Sequence, residues 1–405
     1  MTSRPVVRFL DRSTPPHIFT LIVLTGLGAL SMNLFLPSLP NMTTYFDTDY
    51  RLIQLSVSGY LGMNAVLQLF IGPISDRYGR RPVLLWGIGI FVLATIGCIF
   101  ATTIEIFLFF RMIQATVVVG MVLGRAVVRD MVPQDQAASM IGYVTMGMAV
   151  VPMVGPVFGG RLEESFGWQS NFWVLAGLGA LVWALIWRDL GETAGAGAGS
   201  IRAQFAEYPE LLTARRFWGY CLAAAFASGA FFAYVGGAPY VGSEVFGLSP
   251  AMVGFFFGAP AVGYFFGNFV SGRYSVRVGI NTMILWGCLI SAVGITVLLL
   301  LFLAGLKTAV IFFGFMTFVG LGNGMVIPNA TSGMLSVRPH LAGTASGLGG
   351  AFMIGGGAAL SALAGTLLTM GNGAFPLIWI MLVTAILAVA SIAYTIRRER
   401  QISGI

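Results

Sequence analysis

The chain has 405 residues, of which 57% are hydrophobic and only 9% are charged, and its net charge is +7. A soluble protein carries roughly a quarter charged residues, so this composition excludes a soluble globular protein and indicates a chain that lies in a lipid bilayer. Its three cysteines, Cys98, Cys221 and Cys288, are dispersed through apolar runs. We therefore expect core thiols, with no disulfide framework, metal site or cofactor.

Apolar runs of about 20 residues, the length that crosses a hydrocarbon layer of ~30 Å, recur along the whole chain. The first run follows three arginines, as in a signal peptide. It is not followed by a small-residue cleavage site and a soluble domain, so we interpret it as a retained span. The sequence predicts twelve transmembrane helices, at 17–38, 51–71, 82–101, 105–128, 137–160, 171–188, 217–239, 249–271, 279–302, 308–328, 341–367 and 374–396.

Basic residues predict the orientation of these spans. With the N-terminus in the cytoplasm, eighteen arginines fall in cytoplasmic segments, whereas only Arg51, Arg161 and Lys307 face the other side. This bias predicts a multi-pass protein of the cell (inner) membrane with both termini cytoplasmic. It also attributes the net charge to orientation and to contact with anionic lipids, which excludes nucleic acid as a partner.

A polar connection at 189–216, which contains the flexible stretch GAGAGS, divides the chain into two six-span halves. We expect an all-α membrane protein with one bundle at 1–188, a cytoplasmic linker, and a second bundle at 217–405. The halves resemble each other: "GPISDRYGRRP" follows span 2 and "GNFVSGRYSVRVG" follows span 8. Repeated bundles with Gly- and Pro-broken helices are typical of secondary transporters.

The charged loop after span 2 is predicted to act as a conformational latch. Gly79 permits a tight turn, and Asp76 is suited to accept backbone N–H groups at a helix N-terminus while pairing with an arginine. In the alternative interpretation, the arginines only set the topology. The predicted latch residues are Gly72, Asp76, Arg77, Gly79, Arg80, Arg81 and, from span 4, Arg129.

Span 5 contains small residues and prolines that predict close helix packing and a bend. One interpretation makes this segment a gate against ion leak; the other makes it ordinary helix packing. The residues concerned are Pro152, Gly155, Pro156, Gly159 and Gly160.

Polar and aromatic side chains within the spans predict a substrate cavity. Tyr60, Asn64 and Gln68 recur at four-residue spacing and share one helix face, which is costly to expose to lipid. A mainly apolar, aromatic cavity suits an amphipathic, drug-like solute. The candidates are Asn33, Tyr60, Asn64, Gln68, Arg111, Gln114 and Tyr143 in the first half, and Phe231, Phe232, Tyr234, Tyr264 and Asn268 in the second.

These residues resemble the major facilitator superfamily over the whole chain. The loop at 72–82 matches that family's loop between spans 2 and 3, and "RMIQA" (111–115) is similar to the Arg-x-x-Gln-Gly stretch of drug:proton antiporters. The glycines and proline at 155–160 match a signature of exporters. "LFLPSLP" and "RAVVRD" (125–130) resemble the bicyclomycin-resistance and chloramphenicol-efflux (Bcr/CflA) branch.

The resemblance implies alternating access coupled to protons, and it implies partners for Asp76. These are the start of span 11, near 341–344, and an arginine at the end of span 4, for which Arg129 is favoured over Arg125. One position departs from the family: Asn33 stands where related exporters have an acidic residue. All fifteen acidic residues fall in loops or near span ends, and Glu105 and Asp130 are the nearest titratable candidates.

The leading hypothesis is a monomeric exporter of small amphipathic compounds that is energised by the proton gradient. An anionic metabolite or siderophore carrier, with its substrate paired to Arg111, is the alternative. A non-transporting receptor is the third hypothesis. An enzyme is disfavoured, since neither metal-ligand spacing nor a nucleophile–base pair appears, and "GLGNG" (320–324) is interpreted as helix glycines rather than a nucleotide loop.

Overall fold

A computed structural model describes residues 7–131, 144, 151, 154–193, 209–338, 342–369 and 371–403, and every regular element in them is helical. The N-terminal helices are α1 (Ile18–Asn33), α2 (Leu39–Tyr45), α3 (Tyr50–Tyr78), α4 (Arg80–Ile99), α5 (Ile104–Gln114), α6 (Val118–Met131), α7 (154–166) and α8 (Gln169–Asp189). The C-terminal helices are α9 (Arg215–Tyr240), α10 (Pro250–Phe256), α11 (Gly258–Val278), α12 (Ile280–Leu303), α13 (Ala309–Val337), α14 (Ala342–Leu367) and α15 (Phe375–Ser403).

Within the described residues, eleven helical segments are long and apolar enough to cross a membrane. They correspond to eleven of the twelve predicted spans. The remaining one, at 137–160, lies mostly outside the described residues, and only its end is seen, in α7. Several helices continue past the predicted apolar run; α13, for example, reaches Val337. Backbone hydrogen bonding continues after hydropathy falls, so hydropathy alone underestimates helix length.

The two charged loops end their helices in the same way. Gly79 ends α3 with φ +96°, and Gly279 ends α11 with φ +85°. This part of the φ range is one that glycine adopts readily and other residues rarely do. The tight turn predicted at Gly79 is therefore confirmed, and its counterpart occupies the matching place in the repeat.

One side of the molecule, here called the terminal side, holds the N-terminal segment together with the ends of α8 and α15. Buried Asp189 accepts hydrogen bonds there from the backbone N–H groups of Leu10 (2.7 Å) and His17 (2.9 Å). Arg216 Nε donates to Glu399 Oε1 at 3.0 Å on the same side. Because the helices alternate in direction, the starts of α3 and α10 and the end of α7 lie on the other side, here called the opposite side.

On the opposite side, the N-terminal and C-terminal helices are joined directly. Tyr50 Oη donates to the carbonyl oxygen of Gly236 at 2.9 Å, and the buried Gln54 Nε2 donates to Ser361 Oγ at 2.8 Å. Glu164 accepts a hydrogen bond from the backbone N–H of Ala251 at 3.1 Å. These contacts tie α3 and α7 to α9, α10 and α14.

The three cysteines are free and buried. Their place in the core confirms the interpretation drawn from their apolar surroundings.

Candidate functional site

A cavity of about 310 Å³ lies between the N-terminal and C-terminal helices. Most of its wall is apolar, and none of the lining residues that the structure describes is Asp, Glu, His, Lys or Arg. The wall consists of Gly28, Ala29, Met32, Asn33, Tyr60, Leu61, Asn64, Gln68 and Met121 from the N-terminal helices, and of Ser228, Phe231, Phe232, Phe257, Pro260, Ala261, Tyr264, Gly320, Asn323, Ile327, Met353 and Ile354 from the C-terminal helices.

On the N-terminal wall lie Asn33 and the predicted face of α3, with Tyr60, Asn64 and Gln68. The amide groups of this wall have a fixed orientation. Asn33 Nδ2 donates to the carbonyl oxygen of Ala29 at 2.7 Å, and Asn64 Nδ2 donates to that of Tyr60 at 2.9 Å. Since a carbonyl accepts only from the nitrogen side of an amide, both side-chain oxygens are left available as acceptors.

The C-terminal wall contains three of the predicted residues, Phe231, Phe232 and Tyr264. Tyr234 is not part of the lining: it is buried and packs on Phe257, with ring centroids 5.0 Å apart. Asn268 also lies outside the lining, with its Nδ2 donating to the carbonyl oxygen of Tyr264 at 2.8 Å. Tyr143 lies outside the described residues.

Arg111 lies behind the cavity wall rather than in it. Its side chain is fully buried, and its Nε and Nη2 donate to the carbonyl oxygens of Ser56 and Ser31, each at 3.0 Å. The guanidinium carbon lies 4.0 Å from the ring centroid of Tyr60 and 4.3 Å from that of Phe35, so both rings add a cation–π attraction. Arg111 thus ties α1, α3 and α5 together.

Gln114 belongs to the same buried network. Its Oε1 accepts from Arg111, and its Nε2 donates to Thr95 Oγ1 at 2.8 Å, which extends the network to α4. The structure therefore places Arg111 and Gln114 outside the cavity lining. The physical reason is that neutral carbonyls, an amide and two aromatic faces satisfy the cation internally, so it needs no anionic ligand.

Asn323 was missed as a site residue. It is 4% exposed, lines the cavity from α13, and its Oδ1 has no hydrogen-bond partner within the described residues. The sequence predicts "GLGNG" (320–324) to be helix glycines rather than a nucleotide loop. The overlooked signal was the amide itself, since a polar side chain in the middle of an apolar span marks a functional position by default.

In the charged loop, the buried arginine is Arg80. Its Nη1 lies 2.5 Å from Asp76 Oδ1, and its Nε lies 3.2 Å from Asp130 Oδ2. Glu192 accepts the backbone N–H groups of Arg80 (2.8 Å) and Arg81 (3.3 Å). Arg77 is exposed. The loop is thereby fastened to the ends of α6 and α8.

The predicted partners of Asp76 remain predictions. The side chain of Arg129, residue 341 and the side chains of 342–344 lie outside the described residues. Gly72, also predicted in this loop, has no atom within 4 Å of the position that a Cβ would occupy. The contacts that the structure does describe join Asp76, Arg80 and Asp130, and the latch stays a prediction.

The glycines of α7 sit where backbones meet. A Cβ at Gly155 would lie 3.4 Å from Leu30, and one at Gly159 would overlap the carbonyl oxygen of Leu34. A Cβ at Gly160 would overlap the carbonyl oxygen of Pro250. Conversely, the carbonyl oxygen of Pro156 faces Gly254 of α10. Pro152 lies outside the described residues.

Two adjacent carboxyl groups at the end of α7 lie in different surroundings. Glu163 is 6% exposed, and burial raises its pKa although Asn41 Nδ2 donates to it at 2.8 Å. Hydrogen bonds from the Ser249 hydroxyl and the Ala251 backbone N–H lower the pKa of Glu164. Of the two titratable candidates from the sequence, Asp130 pairs with Arg80, and Glu105 lies in the first turn of α5. Neither lines the cavity.

Comparison with known proteins places this architecture in a family. The model of the Major Facilitator Superfamily matches residues 21–362. An uncharacterized MFS-type transporter, YdgK, of Bacillus subtilis is 32% identical over 91% of this chain and 92% of its own. The bicyclomycin resistance protein homolog of Haemophilus influenzae is 28% identical over 87% of this chain and 89% of its own. The chloramphenicol resistance protein of Pseudomonas aeruginosa is 31% identical over 82% of this chain and 78% of its own.

The fold is also found among solved structures. The crystal structure of the peptide transporter POT in complex with sulfate has a TM-score of 0.76 and 16% sequence identity, with 94% of each chain covered. At that identity the likeness concerns the fold alone. The family match and the helices that line a central cavity lead to one conclusion: the chain belongs to the Major Facilitator Superfamily, is most like its Bcr/CflA branch, and is a multi-pass membrane transporter rather than an enzyme.

Proposed function

We propose that this protein exports small, uncharged amphipathic compounds across the cytoplasmic membrane by alternating access, in exchange for protons. It does so as two six-helix bundles, 1–188 and 217–405, joined by the linker at 189–216, with twelve spans and both termini cytoplasmic. The observation that carries the proposal is the apolar cavity of about 310 Å³ between the N-terminal and C-terminal helices.

The contacts on the opposite side support this proposal. Three contacts hold the two sets of helices together on that side: Tyr50 with Gly236, Gln54 with Ser361, and Gly160 with Pro250. Alternating access requires contacts that form on one side of the substrate and break when the other side closes. With cytoplasmic termini, the closed side is the outer one, and the cavity takes up solute from the cytoplasm.

The wall chemistry favours drug-like solutes over anions. Arg111, the cation assigned to an anionic substrate, lies behind Tyr60 with its donors satisfied. Moving a charged solute into a cavity whose wall has no counter-charge costs several kcal/mol of free energy. Burial of an apolar ring is favourable by about 25 cal/mol for each Å² of its surface. The relatives named for resistance to bicyclomycin and chloramphenicol support the same class.

Flux into proteoliposomes with imposed pH and voltage gradients tests this function. We expect chloramphenicol, an uncharged aromatic solute, to move against its gradient when a pH gradient is present and to stop when an ionophore removes the gradient. The charged hemisuccinate ester of the same compound is the matched control and should move much more slowly. Flux that ignores the pH gradient would exclude proton coupling, and faster flux of the hemisuccinate would favour the anion carrier instead.

A further inference from the structure

We propose that three asparagines form the polar recognition site of the cavity, and that they select solutes in which an N–H or O–H donor stands beside a carbonyl group on an apolar ring. The residues are Asn33 and Asn64 on the N-terminal wall and Asn323 on the C-terminal wall. The inference rests on the proposed function, because it names the chemistry of the solute that the cavity takes.

The first step is the polarity of the N-terminal wall. Hydrogen bonds to the carbonyl oxygens of Ala29 and Tyr60 each use one of the two N–H donors of the Asn33 and Asn64 amides and fix their orientation. The wall therefore presents two amide oxygens as acceptors, and each amide keeps one further N–H group. The hydroxyl of Tyr60 is turned toward Ser31 Oγ, at 3.2 Å. A donor on the solute suits the amide oxygens of this wall, and a carbonyl beside that donor suits the remaining N–H groups.

The second step is the unpartnered amide opposite. Asn323 is 4% exposed, and its Oδ1 accepts no hydrogen bond from any residue that the structure describes. Leaving a buried amide unpartnered is costly, and such groups are rare unless a ligand or water completes them. An asparagine amide offers one donor and one acceptor side by side, which matches a donor–carbonyl pair on a ligand.

Another buried asparagine of the same helix does have hydrogen-bond partners. Asn329 lies six positions further along α13 and is equally buried, yet its Nδ2 donates to Ser271 Oγ at 2.8 Å and to the carbonyl oxygen of Met325 at 2.7 Å. Asn329 does not line the cavity. Of these two asparagines of α13, the one whose side-chain oxygen has no partner among the described residues is the one that lines the cavity.

The third step is charge. Among the described lining residues none is acidic or basic, and tyrosine is the most acidic side chain present. The amides supply geometry and hydrogen bonds without compensating a full charge, so the selected solute is neutral. Its ring packs against Phe231, Phe232 and Phe257 on the C-terminal wall.

Three matched naphthalene compounds test the proposal by thermal-shift titration of the full chain in detergent. 2-Naphthamide has N–H donors and a carbonyl, methyl 2-naphthoate keeps the carbonyl without a donor, and 2-naphthoate carries a charge. We expect the amide to bind about tenfold more tightly than the ester and the carboxylate to bind most weakly. Equal affinity for amide and ester, tighter binding of the carboxylate, or stabilisation by none of the three would overturn the proposal.

Variants assign the preference to the asparagines. Asn323→Ala should reduce the tenfold preference for the amide to about twofold, and Asn64→Ala should reduce it as well. Asn329→Ala, the matched control on the same helix, should keep the full preference whatever its effect on stability. A preference that survives in both Asn323→Ala and Asn64→Ala would show that the amides do not recognise the solute.

Flux of the same compounds separates this proposal from the proposed function. Binding with the expected preference but without any flux in proteoliposomes would contradict transport and leave the recognition site standing. Flux of amide and ester at equal rates and equal affinities would leave transport standing and contradict the recognition site.

Discussion

At the scale of single residues, Arg111 is a fully buried cation that lies behind the cavity wall. The guanidinium is surrounded by the carbonyl oxygens of Ser31 and Ser56, by Gln114, and by two aromatic rings. Arginine remains charged in such a place because its delocalised charge is weakly hydrated, so burial costs it less than it costs a compact cation. Its position makes it a structural tie between α1, α3 and α5.

Arg111→Ala should therefore lower stability rather than affinity. Each acceptor left without its donor costs about 1–3 kcal/mol, and the truncated side chain leaves a void. We expect a lower Tm in detergent and a lower yield of folded protein, while the folded fraction binds 2-naphthamide within about twofold of wild type. Arg51→Ala, at an exposed position, is the control. A loss of affinity at unchanged Tm would instead place the guanidinium in the binding site.

At the scale of the element, the described part of α7 packs against α10 on the opposite side. Gly160 faces the carbonyl oxygen of Pro250, and Gly254 faces that of Pro156, so two backbones meet without side chains between them. Such contact requires glycine because a Cβ would overlap backbone atoms that cannot rotate away. The structure shows the close packing that both interpretations of these glycines require, and the gate stays a prediction.

Gly160→Ala should weaken closure of the opposite side. The added methyl group pushes α10 from α7 and shifts the population toward the state that is open there. In a background without native cysteines, we expect Ser361→Cys, which lies at the Gln54 contact, to react several-fold faster with an impermeant maleimide added on that side. Gly177→Ala in α8 is the matched control, since no atom lies within 4 Å of its Cβ position. Equal labelling rates in the two variants would contradict a gate at Gly160.

The two carboxyl groups at the end of α7 should give opposite pH dependences. Burial raises the pKa of Glu163, so its neutral form stabilises the fold at low pH, and this contribution is lost as pH rises above the usual value of 4.5 through the raised pKa. Hydrogen bonds lower the pKa of Glu164, so its contribution is present above 4.5 and is lost as pH falls through the lowered pKa.

Replacement of each carboxyl by an amide tests these signs. When Tm is measured from pH 4 to 8, the Tm of the Glu163→Gln variant should increase relative to that of wild type as pH rises. The Glu164→Gln variant should be less stable than wild type at neutral pH and converge with it as pH falls. Parallel Tm curves for wild type and Glu163→Gln would mean that Glu163 does not titrate in this range.

At the scale of the whole molecule, transport requires each set of helices to move as a unit. Arg80 contributes to this on the terminal side, because it joins the end of α3, through Asp76, to the end of α6, through Asp130. Glu192 joins the segment after α8 to the same loop, because it accepts hydrogen bonds from two backbone N–H groups of the loop. The charged loop is thus a fastening among N-terminal helices in this conformation.

Asp76→Asn and Arg80→Ala should each lower transport about fivefold while membrane insertion stays near wild type. The reason is a lost charge-assisted contact whose net value, with Asp76 partly exposed, is about 1 kcal/mol. Arg77→Ala removes an exposed arginine of the same loop and should have the smaller effect, although both arginines are among the predicted latch residues. Flux normalised to the amount of inserted protein measures the difference. Wild-type flux from both Asp76→Asn and Arg80→Ala would exclude the latch.

Much of this molecule follows from the sequence by itself. In a bilayer the backbone must satisfy its own hydrogen bonds, so apolar runs of sufficient length become helices, and eleven of the predicted spans have a matching helix in the described residues. Helical periodicity placed Tyr60, Asn64 and Gln68 on one face, and the cavity contains all three. The φ of Gly79 follows from the need for a tight turn between two spans.

The tertiary structure decided which neighbour each polar group meets. Periodicity specifies the residues that share a helix face, but not whether that face meets a cavity or another helix. Arg111 lies behind Tyr60, and Asn323 lies in the wall, because of how α1, α3, α5 and α13 rotate against their neighbours. Among three arginines in one loop, only the fold shows that Arg80 is buried between Asp76 and Asp130. The physical reason is that burial and pairing depend on contacts between residues far apart in the chain, and local sequence does not encode those contacts.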